Sequence, residues 1–234
     1  MRDREKQDIT RLSPAVDSPV LENVTVDVVE ATGQTVTVRY KTLPGNHPHE
    51  NGNSVWIWEG TVIDWSHPDK GNNWPVPNDD SVGSFSVPVE HSSKDYIAGY
   101  SVTGMVMGIC ASAIMNPPPE TSLEVLLAPT SVTLDIYSMT TSELVIHYAT
   151  LRGYQPLRAG NWLGLWRGDV LPWDAPPPML TALPEDDAND GLATFTLTAP
   201  LRKGFDYTVI YFMADKDKTT GNTSAAALLR FVAN

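Results

Sequence analysis

Cysteine is almost absent. Cys110 stands alone in 234 residues, so no intrachain disulfide can form and each domain must stand on its apolar core. It falls in the apolar run Val106-Met107-Gly108-Ile109-Cys110-Ala111, which reads as a buried, inert thiol rather than a nucleophile. Basic residues are scarce: 16 Lys and Arg against 28 Asp and Glu give a net charge of −12. Such a chain repels phosphate backbones and anionic lipid, so nucleic acid is not an expected partner. No apolar run reaches about 18 residues, so no membrane insertion is expected. The opening Met1-Arg2-Asp3-Arg4-Glu5-Lys6-Gln7-Asp8 lacks the apolar core of a secretory signal. The expectation is a cytoplasmic protein, or one exported without a cleavable signal. Catalytic signatures are missing as well: there is no Gly-x-Ser-x-Gly elbow, no Gly-rich phosphate loop and no convincing Cys–His arrangement. The reading is therefore non-enzymatic, with no cofactor; an unrecognised hydrolase using paired carboxylates is the enzymatic alternative.

What is present is a sequence written twice. Val24-Thr25-Val26-Asp27 recurs 108 residues later as Val132-Thr133-Leu134-Asp135. The same shift carries Tyr40 onto Tyr148, Asn53 onto Asn161, Trp58 onto Trp166, Gly60 onto Gly168 and Trp65 onto Trp173. Phe85 then meets Phe195, and Asp95-Tyr96 and Tyr100 meet Asp206-Tyr207 and Tyr211. A period of about 100 residues is a domain, not a solenoid unit. Within each copy the apolar residues alternate, as in Thr35-Val36-Thr37-Val38-Arg39-Tyr40 and Glu143-Leu144-Val145-Ile146-His147-Tyr148. This period of two predicts strands, and near seven short strands per copy, one of them at Leu123–Leu127, fit an immunoglobulin-like sandwich. The 19 Pro and 16 Gly suit its turns. The expected fold class is all-β: two tandem immunoglobulin-like β-sandwich domains with a short Pro-rich hinge. Residues 1–20 are read as a flexible arm, 21–118 as the first sandwich and 119–234 as the second, with Asn116-Pro117-Pro118-Pro119-Glu120 as a stiff connection.

Pro200-Leu201-Arg202-Lys203-Gly204-Phe205-Asp206-Tyr207 resembles a tyrosine corner, where a phenol bonds to upstream backbone and pins the arch between sheets. Tyr96 takes the same place in the first copy. The second copy also carries Asn161-Trp162-Leu163-Gly164-Leu165-Trp166-Arg167-Gly168, then Trp173, then Tyr207-Thr208-Val209-Ile210-Tyr211, then Gly221-Asn222-Thr223-Ser224. This series resembles the SKICH domain across most of residues 130–232. The first copy departs from it, with Trp56 where Gly164 would stand. The resemblance implies an immunoglobulin-type sandwich that serves protein interaction and targeting rather than catalysis.

Four features are candidate sites. Trp74, preceded by Asn72 and Asn73 in a polar stretch, and Trp162 beside Asn161 are placed to stack on a sugar ring while the amides bond its hydroxyls. This is the lectin-like alternative to a protein partner. The repeating tryptophans, Trp58 with Trp166 and Trp65 with Trp173, read as structural. His47-Pro48-His49-Glu50, with His67 nearby, has the residue types of a metal site, without matching ligands at Leu157 and Arg158 in the second copy. Acidic loops recur at Asp79-Asp80 and Asp186-Asp187, where clustered carboxylates suit calcium, although the spacing matches no defined calcium loop. The leading expectation is a binding protein that recognises a protein partner, including itself as a homo-oligomer, through loops and sheet edges.

Overall fold

The computed structural model describes residues 16–91, 93–115, 128–214 and 222–234. The strands, in chain order, are β1 Val16–Asn23, β2 Thr25–Thr32, β3 Thr35–Lys41, β4 Ser54–Glu59, β5 Asn72–Pro75, β6 Val82–Pro88, β7 Tyr96–Ser101 and β8 Ile109–Met115 in the first half. The second half follows with β9 Thr133–Met139, β10 Glu143–Ala149, β11 Trp162–Arg167, β12 Leu180–Ala182, β13 Asp190–Thr196, β14 Asp206–Phe212 and β15 Ala225–Ala233. The chain forms two immunoglobulin-like sandwiches in tandem. In the first, the sheet β2-β3-β6 faces β5-β4-β7-β8; in the second, β9-β10-β13 faces β12-β11-β14-β15. All pairings are antiparallel. The expected hinge at 116–120 and strand at 123–127 lie outside the described residues.

The period of two has the expected physical outcome. Val36, Val38 and Tyr40 on β3, and Leu144, Ile146 and Tyr148 on β10, point inward and are buried. Both tyrosine corners form: Tyr207 Oη accepts from the Arg202 N–H at 2.9 Å, and Tyr96 Oη accepts from the His91 N–H at 3.3 Å. Cys110 is fully buried, and burial pushes its thiol well above its usual range.

The reading of residues 1–20 as a flexible arm needs correction where the structure describes them. Val16–Asn23 is strand β1, and it pairs antiparallel with β15 of the second sandwich, from Val16 opposite Ala233 to Asn23 opposite Ala227. A polar composition hides this because the edge of β15 is satisfied by backbone groups, which every residue except proline supplies in full. Arg230 on β15 adds ion pairs to Glu22 on β1 and to Asp169. The chain then crosses at Val24 into β2 and the first sandwich.

The crossing has a reciprocal. Val24 N–H donates to Ala226 O at 3.0 Å, and Val132 N–H donates to Cys110 O at 3.0 Å. Each half therefore lends the segment before its first strand to the last strand of the other half. Asn23 and Ser131, equivalent under the repeat, meet directly, with Asn23 Nδ2 donating to Ser131 Oγ at 2.9 Å. Such self-complementary contact between equivalent positions marks a local two-fold axis. The repeated tryptophans obey the same symmetry. Trp65 Nε1 donates to Arg152 O at 2.9 Å, and Trp173 Nε1 donates to Pro44 O at 2.8 Å. Each indole lies over the turn glycine of the opposite half, Gly153 or Gly45, both at φ +76°.

Candidate functional site

The seam decides which side chains remain available to a ligand. β4 and β11 run Val55-Trp56-Ile57-Trp58 and Trp162-Leu163-Gly164-Leu165-Trp166, apolar on both faces. One face, Val55 and Ile57 or Leu163 and Leu165, joins the sandwich interior. On the other face of the first half, Trp58, Ile97 and Ile109 close against Leu151 from the second half. Trp162 lies on the corresponding face of β11 and stacks on Phe212, ring centroids 4.1 Å apart at 8°.

This geometry overturns half of the expected sugar platform. Trp162 is 3% exposed and Asn161 0%, so neither presents itself to a ligand. Asn161 is instead a core connector. Its Oδ1 accepts from Tyr211 Oη at 2.9 Å and its Nδ2 donates to Tyr154 Oη at 3.0 Å. Tyr154 Oη in turn donates to Met107 O across the seam at 2.7 Å. Asn53, its equivalent, accepts from Tyr100 Oη at 3.0 Å and from Asn46 Nδ2 at 2.9 Å. The other half of the platform sits on strand β5 rather than in a loop. Asn72, Asn73 and Trp74 pair with Ile57, Trp56 and Val55. Trp74 is half-buried against the core, while Asn72 and Asn73 are exposed. Alternation along the strand puts Asn73 on the face opposite Trp74, so only Asn72 shares its side.

The acidic loops have a shared structural task. Asp79 Oδ1 accepts the Glu50 N–H at 2.9 Å, and Asp187 Oδ1 accepts the Arg158 N–H at 2.7 Å. Each ties the loop before a central strand to the loop before β6 or β13. Asp186 accepts the Ala188 N–H at 2.8 Å within its own turn. Burial, then Asp186, Glu185, Asp187 and Asp190, push Tyr148 up to about 12; burial, then Asp80 and Asp79, raise Tyr40. Among the described residues, Asp80, Asp186 and Asp187 join no cluster of three metal-binding groups. Asp79 does: its carboxylate lies with His47 and Glu50, the donor atoms within 4.8 Å of one another. His49 and His67 do not join them, since His49 Nδ1 contacts Val76 O at 3.0 Å and His67 pairs with Asp64. Sequence reading named the His47 and Asp79 loops separately; nothing in the linear order joins residues 47 and 79.

At the junction of the halves lies a groove of about 810 Å³ lined by Trp65, Met105, Met107, Arg158 and Met213, among others. Among the described residues, Arg158 is the one charged side chain that lines it.

No family model matches the chain, and no curated protein matches it. Among solved structures, a two-domain fibronectin type III segment of chicken tenascin aligns at 10% identity over 91% of this chain and 100% of that one, with a TM-score of 0.28. The BSP domain of a biofilm-associated protein aligns at 13% identity over 84% of this chain, with a TM-score of 0.25. The alignment spans 27% of that second protein's length.

Proposed function

We propose that this chain is a non-catalytic interaction module that recognises a protein partner by pairing at a sheet edge. The observation that supports this is the unequal fate of the edges. β8 and β15 are covered by leading segments of the opposite half. At the far side of the second sandwich, the three-residue β12 stands at the rim. It is flanked by Met179, 53% exposed, and Leu183, 56% exposed. Among the described strands β12 pairs only with β11, and its free edge offers an incoming strand backbone groups for hydrogen bonds, with the apolar flanks to hold alternate side chains. The SKICH-like reading of the second half belongs to this proposal. It rests on the sequence resemblance alone, whose Trp162–Arg167 and Tyr207–Tyr211 stretches fall on the neighbouring strands β11 and β14. The lectin-like alternative keeps only Trp74 and Asn72 on one face of β5, and a half-buried indole favours it less.

The test compares wild type with Met179→Asp/Leu183→Asp by affinity capture from source cells and by sedimentation. A heterologous partner, or a second copy, held by wild type and released by the double variant is the expected result. Identical capture and sedimentation by both proteins would refute edge recognition at β12.

A further inference from the structure

We propose that His47, Glu50 and Asp79 form a divalent-metal site for zinc-type ions. One imidazole nitrogen and one oxygen from each carboxylate lie within 4.8 Å of one another. Mixed nitrogen and oxygen donors suit zinc and its neighbours, with three protein ligands and water completing the shell. Calcium, which takes six to eight oxygens, is poorly served by this set. Metal–ligand bonds of about 2 Å in a tetrahedron hold the donors about 3.3 Å apart, and His47 and Glu50 are both exposed, so their side chains are free to turn toward an ion.

The second half acts as an internal control on whether the fold itself requires these residues. The first loop is closed by Asn51 N–H to His47 O at 2.9 Å, Gly52 N–H to His49 O at 3.1 Å and Asn53 N–H to Pro48 O at 2.8 Å. The second repeats each bond: Ala159 to Gln155, Gly160 to Leu157 and Asn161 to Pro156, all at 3.0 Å. The aspartate-to-backbone tie is repeated too, through Asp79 and Asp187. At the positions of His47 and Glu50, however, stand Gln155 and Arg158. The loop folds without an imidazole or a second carboxylate, so the architecture accounts for Asp79 and leaves His47 and Glu50 unexplained. Among the described residues, neither the His47 imidazole nor the Glu50 carboxylate has a hydrogen-bond or ion-pair partner. Two carboxylates stand together in a chain of net charge −12, an arrangement that a cation between them relieves.

Isothermal titration of zinc chloride into the full chain, in a buffer free of phosphate and imidazole, tests the site. One ion binds per chain, and His47→Ala and Glu50→Gln each weaken binding at least about tenfold. His147→Ala, which removes an exposed imidazole paired with Asp190 on the second sandwich, binds as wild type does. Thermal melting of the two ligand variants stays near wild type, because the second half holds the same loop with Gln155 and Arg158. Absence of zinc uptake by the folded protein, or uptake that both ligand variants leave unchanged, would overturn the proposal.

Discussion

Tyr211→Phe and Tyr100→Phe remove equivalent hydroxyls from the two halves, yet their costs should differ. Both phenols are fully buried and both donate to an asparagine Oδ1, at 2.9 Å to Asn161 and 3.0 Å to Asn53. Asn53 Oδ1 has a second donor in Asn46 Nδ2 at 2.9 Å. In the second half the position of Asn46 is taken by Tyr154, which accepts from Asn161 Nδ2 rather than donating to Oδ1. Loss of the Tyr211 hydroxyl therefore strands a buried acceptor among the described residues, whereas loss of the Tyr100 hydroxyl leaves a satisfied one. An orphaned buried acceptor costs about 1–3 kcal/mol, and a lost bond between groups that stay satisfied about 0.5–1.5 kcal/mol. For a chain of this size each kcal/mol moves the melting midpoint by about 2–4 °C. Urea unfolding followed by tryptophan fluorescence reads the difference, with unchanged m-values as the check that one transition is compared with another. Equal losses, or a larger loss in Tyr100→Phe, would refute the assignment of Asn161 as singly supported.

Alkaline pH should destabilise the fold. Burial raises Tyr100 and Tyr211 well above the ordinary tyrosine value, and Tyr148 to about 12. The stabilisation they contribute is complete below the unfolded tyrosine value of about 10 and is lost as pH rises through the folded values. Denaturant midpoints measured at about pH 9 and about pH 11 should fall, alongside delayed phenolate absorbance. Gly153→Ala places a Cβ 3.3 Å from Trp65 Cδ1 on backbone at φ +76°, and a left-handed non-glycine residue costs about 1–2 kcal/mol. Gly45→Ala, 3.1 Å from Trp173 Cδ1 at the same φ, should lower the melting midpoint by a similar amount. Arg230→Met removes the ion pairs to Glu22 and Asp169. Because Asp169 is largely exposed, the global loss should stay near about 1 kcal/mol, while amide exchange at Leu21 and Glu22 quickens selectively.

The duplication, the strand period and the two tyrosine corners were legible because each is a local pattern. The interlock was not. Val24 meets Ala226 and Val132 meets Cys110 through main-chain groups, which carry no side-chain signature. Trp65 and Trp173 recur, but a repeat cannot tell packing within a copy from packing onto the other copy; here both cap the opposite half. The misassignment of Trp162 and Asn161 did leave a signal. Apolar residues on both faces of Trp162-Leu163-Gly164-Leu165-Trp166 indicate a strand covered on two sides, which removes its tryptophans from the surface. The meeting of His47 with Asp79 depends on how two loops pack, and residue order alone does not encode it.

Val16 faces Ala233 across the pairing of β1 with β15, so the described chain closes into a ring whose entrance and exit share one address. During synthesis the first half emerges with β15 still unmade, and β1 must wait for the nine residues of that strand before finding its berth. Any passenger placed ahead of Val16 and any placed behind Ala233 would leave from adjoining points, side by side, rather than from opposite poles.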